Sequence, residues 1–234
     1  MTGQRISGST ALVTGANRGL GKAIADELLD RGAKTVYAAV RDPETVTDPR
    51  VVPVRVDVTD PASVYAAAEL ATDVDLVVNN AGIGSGGSVF GPQGVEALRT
   101  QFETNTIGPL VVTRVFAPIL ESNGGGTIVN VLSVLSWATM APTSTYSAAK
   151  AAAWSITNAT RGELRGQGTR VVGVHVGWLD TDMAAHVDGP KTDPADLARQ
   201  ILDAVERGDD EVLGDDLSRA VKSMLAESPQ KLSV

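Results

Sequence analysis

The sequence predicts an α/β fold in which one doubly wound parallel sheet of about seven strands carries helices on both faces. Short β-branched runs alternate with longer segments whose apolar residues recur at helical spacing, which is typical of repeated strand–helix–strand units. Aromatic residues make up 4% of a chain with 24 glycines, so Val, Ala, Leu and Ile are expected to fill the core. No repeat or domain linker interrupts the pattern, and we expect a single domain over residues 1–234.

The individual elements follow from this alternation. Helices are predicted where Leu20, Ile24 and Leu28 share one face and across the alanine-rich segment 144–164. The connection from Arg41 to Val51 is too short for a crossover helix, so we expect thin cover on one face of the sheet there. The strands are predicted at residues 11–13, 35–40, 51–56, 74–78, 127–132, 170–176 and 211–213.

The composition argues against several kinds of chemistry and partner. With no cysteine and two histidines, thiolate and disulfide chemistry are excluded and no metal site is expected. A formal charge of −8 disfavours nucleic acid as a partner. The first ten residues are polar, and Arg114 interrupts the most apolar long stretch, 107–120, so we expect no membrane contact and a cytoplasmic protein.

A glycine-rich loop follows the first predicted strand and leads into a helix. Such a loop lets backbone N–H groups and the positive helix end approach a pyrophosphate. A phosphate loop of the NTPase type would need glycine at Ala16 and a hydroxyl at Ala23, and the sequence has neither. The loop therefore predicts dinucleotide binding through Gly15, Asn17, Arg18, Gly19, Leu20 and Gly21.

Several motifs in order resemble those of the short-chain dehydrogenase/reductase family. The loop reads TGxxxGxG from Thr14, and residues 79–82 read NNAG after the fourth strand. Tyr146 and Lys150 match the family's YxxxK, with Ser133 thirteen residues upstream of the tyrosine, and Asn105 falls where a fourth catalytic residue is expected. The matching motifs extend from Thr14 to Thr181, and the chain resembles a carbonyl-reductase-like member of the family.

The resemblance implies a Rossmann-like fold and a catalytic set of Asn105, Ser133, Tyr146 and Lys150. It implies that Lys150 binds the nicotinamide ribose and that Asn105 holds a water linking Lys150 to solvent. It also implies a homodimer or homotetramer built on the helices around residues 96–120 and 144–164.

The residue types suit proton transfer to a carbonyl oxygen. Tyr146 and Lys150 stand four residues apart, so their side chains share one helix face. A neighbouring ammonium is expected to lower the phenol pKa from about 10 towards neutrality. Ser133, at a strand end, is expected to donate to a substrate oxygen as negative charge grows on it.

The residues after the second strand bear on which nicotinamide cofactor binds. Arg41 lies just past that strand and, with Arg18, is expected to hold a 2′-phosphate, which predicts NADP(H). Asp42 keeps NAD(H) as an alternative, since a strand end shifted by one residue would put its carboxylate at the ribose.

The remaining cofactor contacts are predicted at other strand ends. Asp57 resembles the family's contact to adenine, and the alternative is a cap at the entry of the following helix. Thr181 resembles the contact to the carboxamide in a PGxxxT motif, in which Val176 here replaces proline. The full remaining set is Asp57, Val58, Asn79, Ala81, Gly82, Gly177, Leu179 and Thr181, with Tyr146 and Lys150 themselves.

Apolar residues near Ser133 and after the sixth strand predict a hydrophobic substrate pocket. Trp137 and Trp178 could instead be core residues, and His175 is interpreted as a strand-end histidine rather than a proton donor. Residues 179–191 are predicted to form a lid. The predicted pocket consists of Ser133, Val134, Trp137, Met140, Tyr146, Trp178 and Met183.

Together these observations predict an NADPH-dependent reductase of ketones or aldehydes to alcohols that also runs as a secondary-alcohol dehydrogenase, with Tyr146 as general acid and base. The alternatives are an NAD-dependent alcohol dehydrogenase and a non-catalytic dinucleotide-sensing protein on the same fold. The natural substrate, the stereochemistry and the physiological direction stay open at this point.

Overall fold

The computed structural model describes residues 3–84, 86–227 and 232. Within them a seven-stranded, all-parallel sheet has the order β3-β2-β1-β4-β5-β6-β7, which confirms the predicted doubly wound fold. The strands are β1 Thr10–Thr14, β2 Thr35–Val40, β3 Val52–Arg55, β4 Leu76–Asn79, β5 Gly126–Val131, β6 Thr169–His175 and β7 Glu211–Leu213.

Helices cover both faces of this sheet. On one face α1 and α6 pack through Ile24, Leu28 and Ile201, and on the other α2 and α4 pack through Val64 and Phe116. The helices are α1 Gly19–Asp30, α2 Pro61–Leu70, α3 Gly94–Phe102, α4 Gly108–Ser122, α5 Ser144–Glu163, α6 Pro194–Arg207 and α7 Asp216–Ser223. A π-helical segment, Glu103–Ile107, joins α3 to α4.

The connection between β2 and β3 contains one 3-10 turn, Pro43–Thr45, as its only helical element. This agrees with the prediction that the segment is too short for a crossover helix. The Asp42 carboxylate caps the turn by accepting from the Glu44 N–H at 3.1 Å.

The first residues of the predicted fourth strand lie outside the sheet. β4 begins at Leu76 rather than at Val74, and the residue before it, Asp75, contacts β1 through its side chain. Its carboxylate accepts the Thr10 N–H at 3.1 Å, and Gln4 Nε2 donates to the same oxygen at 3.1 Å. The start of β4 is therefore tied to β1 by a side chain.

The strand order reverses between β1 and β4, which places a crevice at their carboxyl ends. The loops after β1, β4, β5 and β6 all open at this edge. No helix in the described part of the chain has both the length and the apolar character needed to cross a bilayer. The same residues contain no cluster of three or more groups suited to a metal ion.

Candidate active site

The loop after β1 has the geometry of a phosphate cradle. Gly19 has a φ of +54°, which side-chain-bearing residues rarely adopt, and it opens α1. A methyl group on Gly21 would collide with the carbonyl oxygen of Gly15. Arg18 caps α1 without a side-chain hydrogen bond, whereas Asp60 and Asp193 cap α2 and α6. The N-terminal amides of α1 are thus left to an external anion, and this fits the pyrophosphate of a dinucleotide.

Two residues that the sequence analysis did not assign to the site hold this loop in place. Asn80 Nδ2 donates to the Thr14 carbonyl at 2.9 Å and to the Gly15 carbonyl at 3.3 Å. The Thr14 hydroxyl accepts the N–H groups of Asn80 and Ala81, each at 3.0 Å. The NNAG motif could have indicated this role of Asn80, because its second asparagine lies beside the end of the first strand.

Asn79 supports the sheet. It is 3% exposed, and its Nδ2 donates to Asn130 Oδ1 at 2.8 Å and to Thr113 Oγ1 at 3.1 Å. Asn130 in turn donates to Thr157 Oγ1 at 3.0 Å. These bonds join β4 and β5 to α4 and α5, so the Asn79 amide faces the helices rather than the cradle.

Ser133 and Tyr146 meet at the carboxyl edge of the sheet. Ser133 follows β5, and Tyr146 stands in the first turns of α5. The Ser133 side chain acts to lower the pKa of the Tyr146 phenol. Ser133 Oγ also accepts the Leu135 N–H at 3.1 Å, so its own hydrogen is free to point at an oxygen beside Tyr146.

Lys150 lies one helical turn after Tyr146, as the spacing predicts. Its Nζ is 5.8 Å from the centre of the Tyr146 ring and donates to the Val131 carbonyl at 2.9 Å. Burial lowers the pKa of Lys150 to about 8 and raises the pKa of Tyr146 to about 12. The prediction that Lys150 lowers the phenol pKa is therefore wrong: burial raises that pKa, and Ser133 rather than Lys150 is the group that acts to lower it.

Asn105 lies in the π-helical segment, and its amide is occupied by protein. Oδ1 accepts the Ile83 N–H at 3.1 Å, and Nδ2 donates to the Ile83 carbonyl at 2.9 Å and to Gln101 Oε1 at 2.5 Å. Pro109, four residues further on, has no N–H to give the Asn105 carbonyl. A water at Asn105 would therefore be held by the backbone carbonyl, and Gln101 is a supporting residue that the sequence analysis missed.

Arg18 and Arg41, which were predicted to hold one anion together, interact with different carboxylates. Arg41 is the first residue past β2 and is exposed. Hydrogen bonds from Thr59 lower the pKa of Asp57 most, and the charge of Arg41 lowers it further. Asp57 accepts the Thr59 N–H at 2.9 Å in the loop before α2, whereas Asp60 caps that helix, so the alternative role of Asp57 as a helix cap is wrong. Arg18 instead pairs with Asp182 at 2.9 Å.

The loop after β6 reaches back to the cradle. Gly177 donates its N–H to Asp215 Oδ2 at 2.7 Å, so the residue preceding α7 fixes this loop. A methyl group on Gly19 would lie 3.2 Å from Thr181 Cγ2, which places Thr181 beside the start of α1. Leu179 and Thr192 form a parallel bridge at the base of the 179–191 segment.

The 179–191 segment lies across the mouth of the site. A methyl group on Gly84 would lie 2.7 Å from Met183 Sδ, so this side chain rests on the loop after β4. Met183 is 51% exposed. Trp178 meets the exposed His186 edge-on, with 6.3 Å between ring centres.

The remaining residues of the predicted pocket are divided between core and site. Val134 and Trp137 are buried in a small cluster beneath the site, and Met140 packs on its edge. The Trp137 ring lies 3.7 Å from the His175 ring and 6.1 Å from that of Trp154. The structure thus places Trp137 according to the core alternative, while Trp178 and Met183 stay at the mouth.

With this geometry established, comparisons with known proteins identify the chain. The family model for short chain dehydrogenases matches residues 9–191. The chain belongs to the short-chain dehydrogenase family. It is an oxidoreductase that acts on the CH–OH/C=O couple with a nicotinamide dinucleotide, in agreement with the cradle after β1.

Individual relatives of this short-chain dehydrogenase cover nearly its whole length. An NADP-dependent 3-hydroxy acid dehydrogenase of Schizosaccharomyces pombe is 30% identical in an alignment that covers 91% of this chain and 93% of the relative. A short chain dehydrogenase of Burkholderia cenocepacia, solved in complex with NADP, is 41% identical with a TM-score of 0.93, covering 98% and 97% of the two chains. A 7α-hydroxysteroid dehydrogenase, solved with NADH and a 7-oxo bile acid, is 26% identical with a TM-score of 0.82, covering 89% and 93%.

Proposed function

We propose that the protein is an NADPH-dependent reductase of ketones and aldehydes that also oxidises secondary alcohols. The observation that carries this proposal is the placement of Ser133, after β5, and Tyr146, in the first turn of α5, at one edge of the sheet, with Lys150 Nζ 5.8 Å from the centre of the tyrosine ring. A carbonyl oxygen placed between the Ser133 and Tyr146 hydroxyls would accept from both. The secondary alcohols and ketones named for the relatives belong to the same substrate class.

The protein's own groups each have a role in the reduction. The bound nicotinamide supplies the hydride. Ser133 donates to the carbonyl oxygen as negative charge develops there, and Tyr146 delivers the proton, since its raised pKa keeps the phenol protonated at neutral pH. Lys150 has a pKa of about 8, so its ammonium remains charged near neutral pH and helps to sustain the supply of protons to the site.

The preference for NADP(H) over NAD(H) is supported by the residues after β2. Arg41 is the first residue beyond the strand and is exposed, where it is available to a 2′-phosphate. Asp42, the residue that favoured NAD, is engaged in capping the Pro43–Thr45 turn. The neighbour solved with NADP shares 41% of its residues with this chain, which supports the same preference.

The substrate is proposed to be a carbonyl compound with hydrophobic substituents. Met183 and Trp178 lie at the mouth of the site and Met140 at its edge, and thioether and indole groups favour apolar ligands. Residues 179–191 would act as the lid over this compound.

The proposal includes assembly into a homodimer or homotetramer. Phe90 and Val95, beside and within α3, are 97% and 68% exposed, and large apolar side chains with this exposure are common at subunit contacts. Size-exclusion chromatography with light scattering tests this, and a monomer at micromolar concentration would contradict it.

The first test of the function is nicotinamide absorbance with NADPH or NADH and a panel of apolar ketones and aldehydes. We expect oxidation of NADPH. Arg41→Ala should weaken the binding of NADPH about tenfold or more and leave the binding of NADH nearly unchanged. Arg165→Ala, in the turn after α5, changes the net charge equally and should preserve the preference. Equal losses for both cofactors in Arg41→Ala would refute the assignment of the 2′-phosphate contact.

The second test is Tyr146→Phe. Turnover should fall by at least about 10³-fold because the proton donor is removed, while the cofactor dissociation constant changes little. Tyr65→Phe alters an exposed tyrosine on α2 and serves as control. Near-normal kcat in Tyr146→Phe would overturn the proposed mechanism.

A further inference from the structure

His175 lies directly beneath the site and touches Ser133. It is the last residue of β6 and is 1% exposed. Its Nδ1 lies 3.1 Å from the Ser133 carbonyl oxygen. A carbonyl can only accept, so Nδ1 must carry the ring hydrogen in this contact.

The imidazole also contacts the far end of the turn that begins at Ser133. Its ring stacks on Trp137 with 3.7 Å between centres and 16° between planes. Within the turn, the Ser133 carbonyl accepts the Ser136 N–H at 3.0 Å, and Ser133 Oγ accepts the Leu135 N–H at 3.1 Å. One side chain from β6 therefore holds both ends of the segment that carries the serine hydroxyl.

The charges around His175 keep the ring neutral. Glu211 Oε1 of β7 lies 3.9 Å from Nε2, but this carboxylate pairs with Lys222 of α7. Burial lowers the pKa of His175 to about 4, and the charges of Lys222, Lys150 and Arg161 act in the same direction. Nε2 has no hydrogen-bond partner among the described residues. A neutral ring with its hydrogen on Nδ1 satisfies the contact with the Ser133 carbonyl and leaves Nε2 as an acceptor without a donor among the described residues.

We propose that His175 is a positioning residue for carbonyl reduction, whose Nδ1–H holds the Ser133 carbonyl and thereby aims the Ser133 hydroxyl at the substrate oxygen. This inference rests on the proposed function. It assigns His175 no proton-transfer step. Ser133 must point at the reacting oxygen, and a small reorientation of such a donor is costly in rate.

The contact can be tested without turnover. The chain contains two histidines, so ¹⁵N-detected imidazole spectra need to separate only His175 from the exposed His186. We expect His175 to show the Nδ1–H tautomer and constant shifts between pH 5.5 and 8. An Nε2–H tautomer, or titration of His175 within that range, would overturn the proposal.

Two variants then separate the hydrogen bond from the stacking. His175→Phe keeps an aromatic ring against Trp137 but loses the donor, whereas His175→Asn keeps an N–H the same number of bonds from the backbone and loses the ring. We expect His175→Phe to lower kcat on the order of tenfold with an unchanged dissociation constant for the cofactor. His175→Asn should recover at least about half of the wild-type kcat.

Thermal unfolding serves as a control for both variants, and Tyr65→Phe, at the exposed tyrosine on α2, is the matched variant that should leave kcat unchanged. Equal losses of kcat in His175→Phe and His175→Asn, or a normal kcat in folded His175→Phe, would refute the positioning role. Failure of the proposed function is seen separately, because wild-type protein would then reduce no carbonyl compound whatever tautomer His175 adopts.

Discussion

Lys150 illustrates how a side chain with a proposed role in the reaction can work against stability. Lys150 is 7% exposed, and its ammonium donates a hydrogen bond to the Val131 carbonyl. Its pKa is about 8 in the folded protein and 10.5 when solvated, so the unfolded chain binds the proton more tightly. The contribution of Lys150 to stability is therefore lowest below pH 8, and it rises between about pH 8 and 10.5, where the folded protein has lost the proton that the unfolded chain still holds.

The first prediction concerns Lys150→Met. At pH 7 the variant should be inactive, yet more stable by about 1–2 kcal/mol, because the buried charge is gone and only one carbonyl loses its partner. The melting temperature should rise by about 2–6 °C, measured by calorimetry. Lys34→Met, at an exposed lysine, should leave both activity and melting temperature nearly unchanged. A lower melting temperature in Lys150→Met would contradict this account.

Asp215 shows how one element can fix a loop that belongs to another. Its Oδ1 accepts the Ser218 N–H at 2.7 Å and caps α7, while its Oδ2 accepts the Gly177 N–H at 2.7 Å. The carboxylate thus couples the start of α7 to the loop that carries Leu179 and Thr181.

The second prediction compares Asp215→Ala with Asp193→Ala, which removes the cap of α6 and no bond to the β6 loop. Each should cost about 1 kcal/mol of stability through the lost cap. Only Asp215→Ala should weaken cofactor binding, by about three- to tenfold, since one charge-assisted bond to the loop is lost. Fluorescence titration measures the cofactor dissociation constants of the two variants. Equal cofactor binding by both variants would contradict the proposed link between Asp215 and the site.

The elements themselves could be predicted from sequence because their signals are local. Alternating β-branched and amphipathic segments gave all seven strands to within a few residues, and the spacing of Tyr146 and Lys150 placed them on one helix. Contacts between elements could not be read in this way. The roles of Asp215, Gln101 and Asn80 depend on which loops become neighbours in the sheet, and Trp137 could be placed only once His175 was seen to stack on it.

The fold as a whole is tied together at the amino-terminal edge of the sheet by Asp75. Its carboxylate links residue Gln4, the start of β1 and the start of β4. Burial raises its pKa to about 6. The folded protein therefore holds this proton more tightly than the unfolded chain, and the group's contribution to stability is lost as the pH rises through 6.

The third prediction concerns Asp75→Asn. The amide oxygen still accepts from Thr10 and Gln4 but carries no charge, so the variant should be more stable than wild type by about 1–2 kcal/mol at pH 8. The gain should disappear near pH 4, where Asp75 is protonated. Urea unfolding at both pH values measures it, with Asp188→Asn as a control for removal of an exposed carboxylate. A gain that is equal at pH 4 and pH 8 would rule out this explanation.

The edge strand β3 has a consequence for how the protein behaves at high concentration. It is four residues long, Pro53 within it offers no N–H, and Arg55 places a charge at its end. An extended segment from another molecule would find too few donors there to add itself to the sheet. This edge of the sheet is therefore protected against the addition of strands from other molecules, even though the short β2–β3 connection carries no crossover helix to cover it.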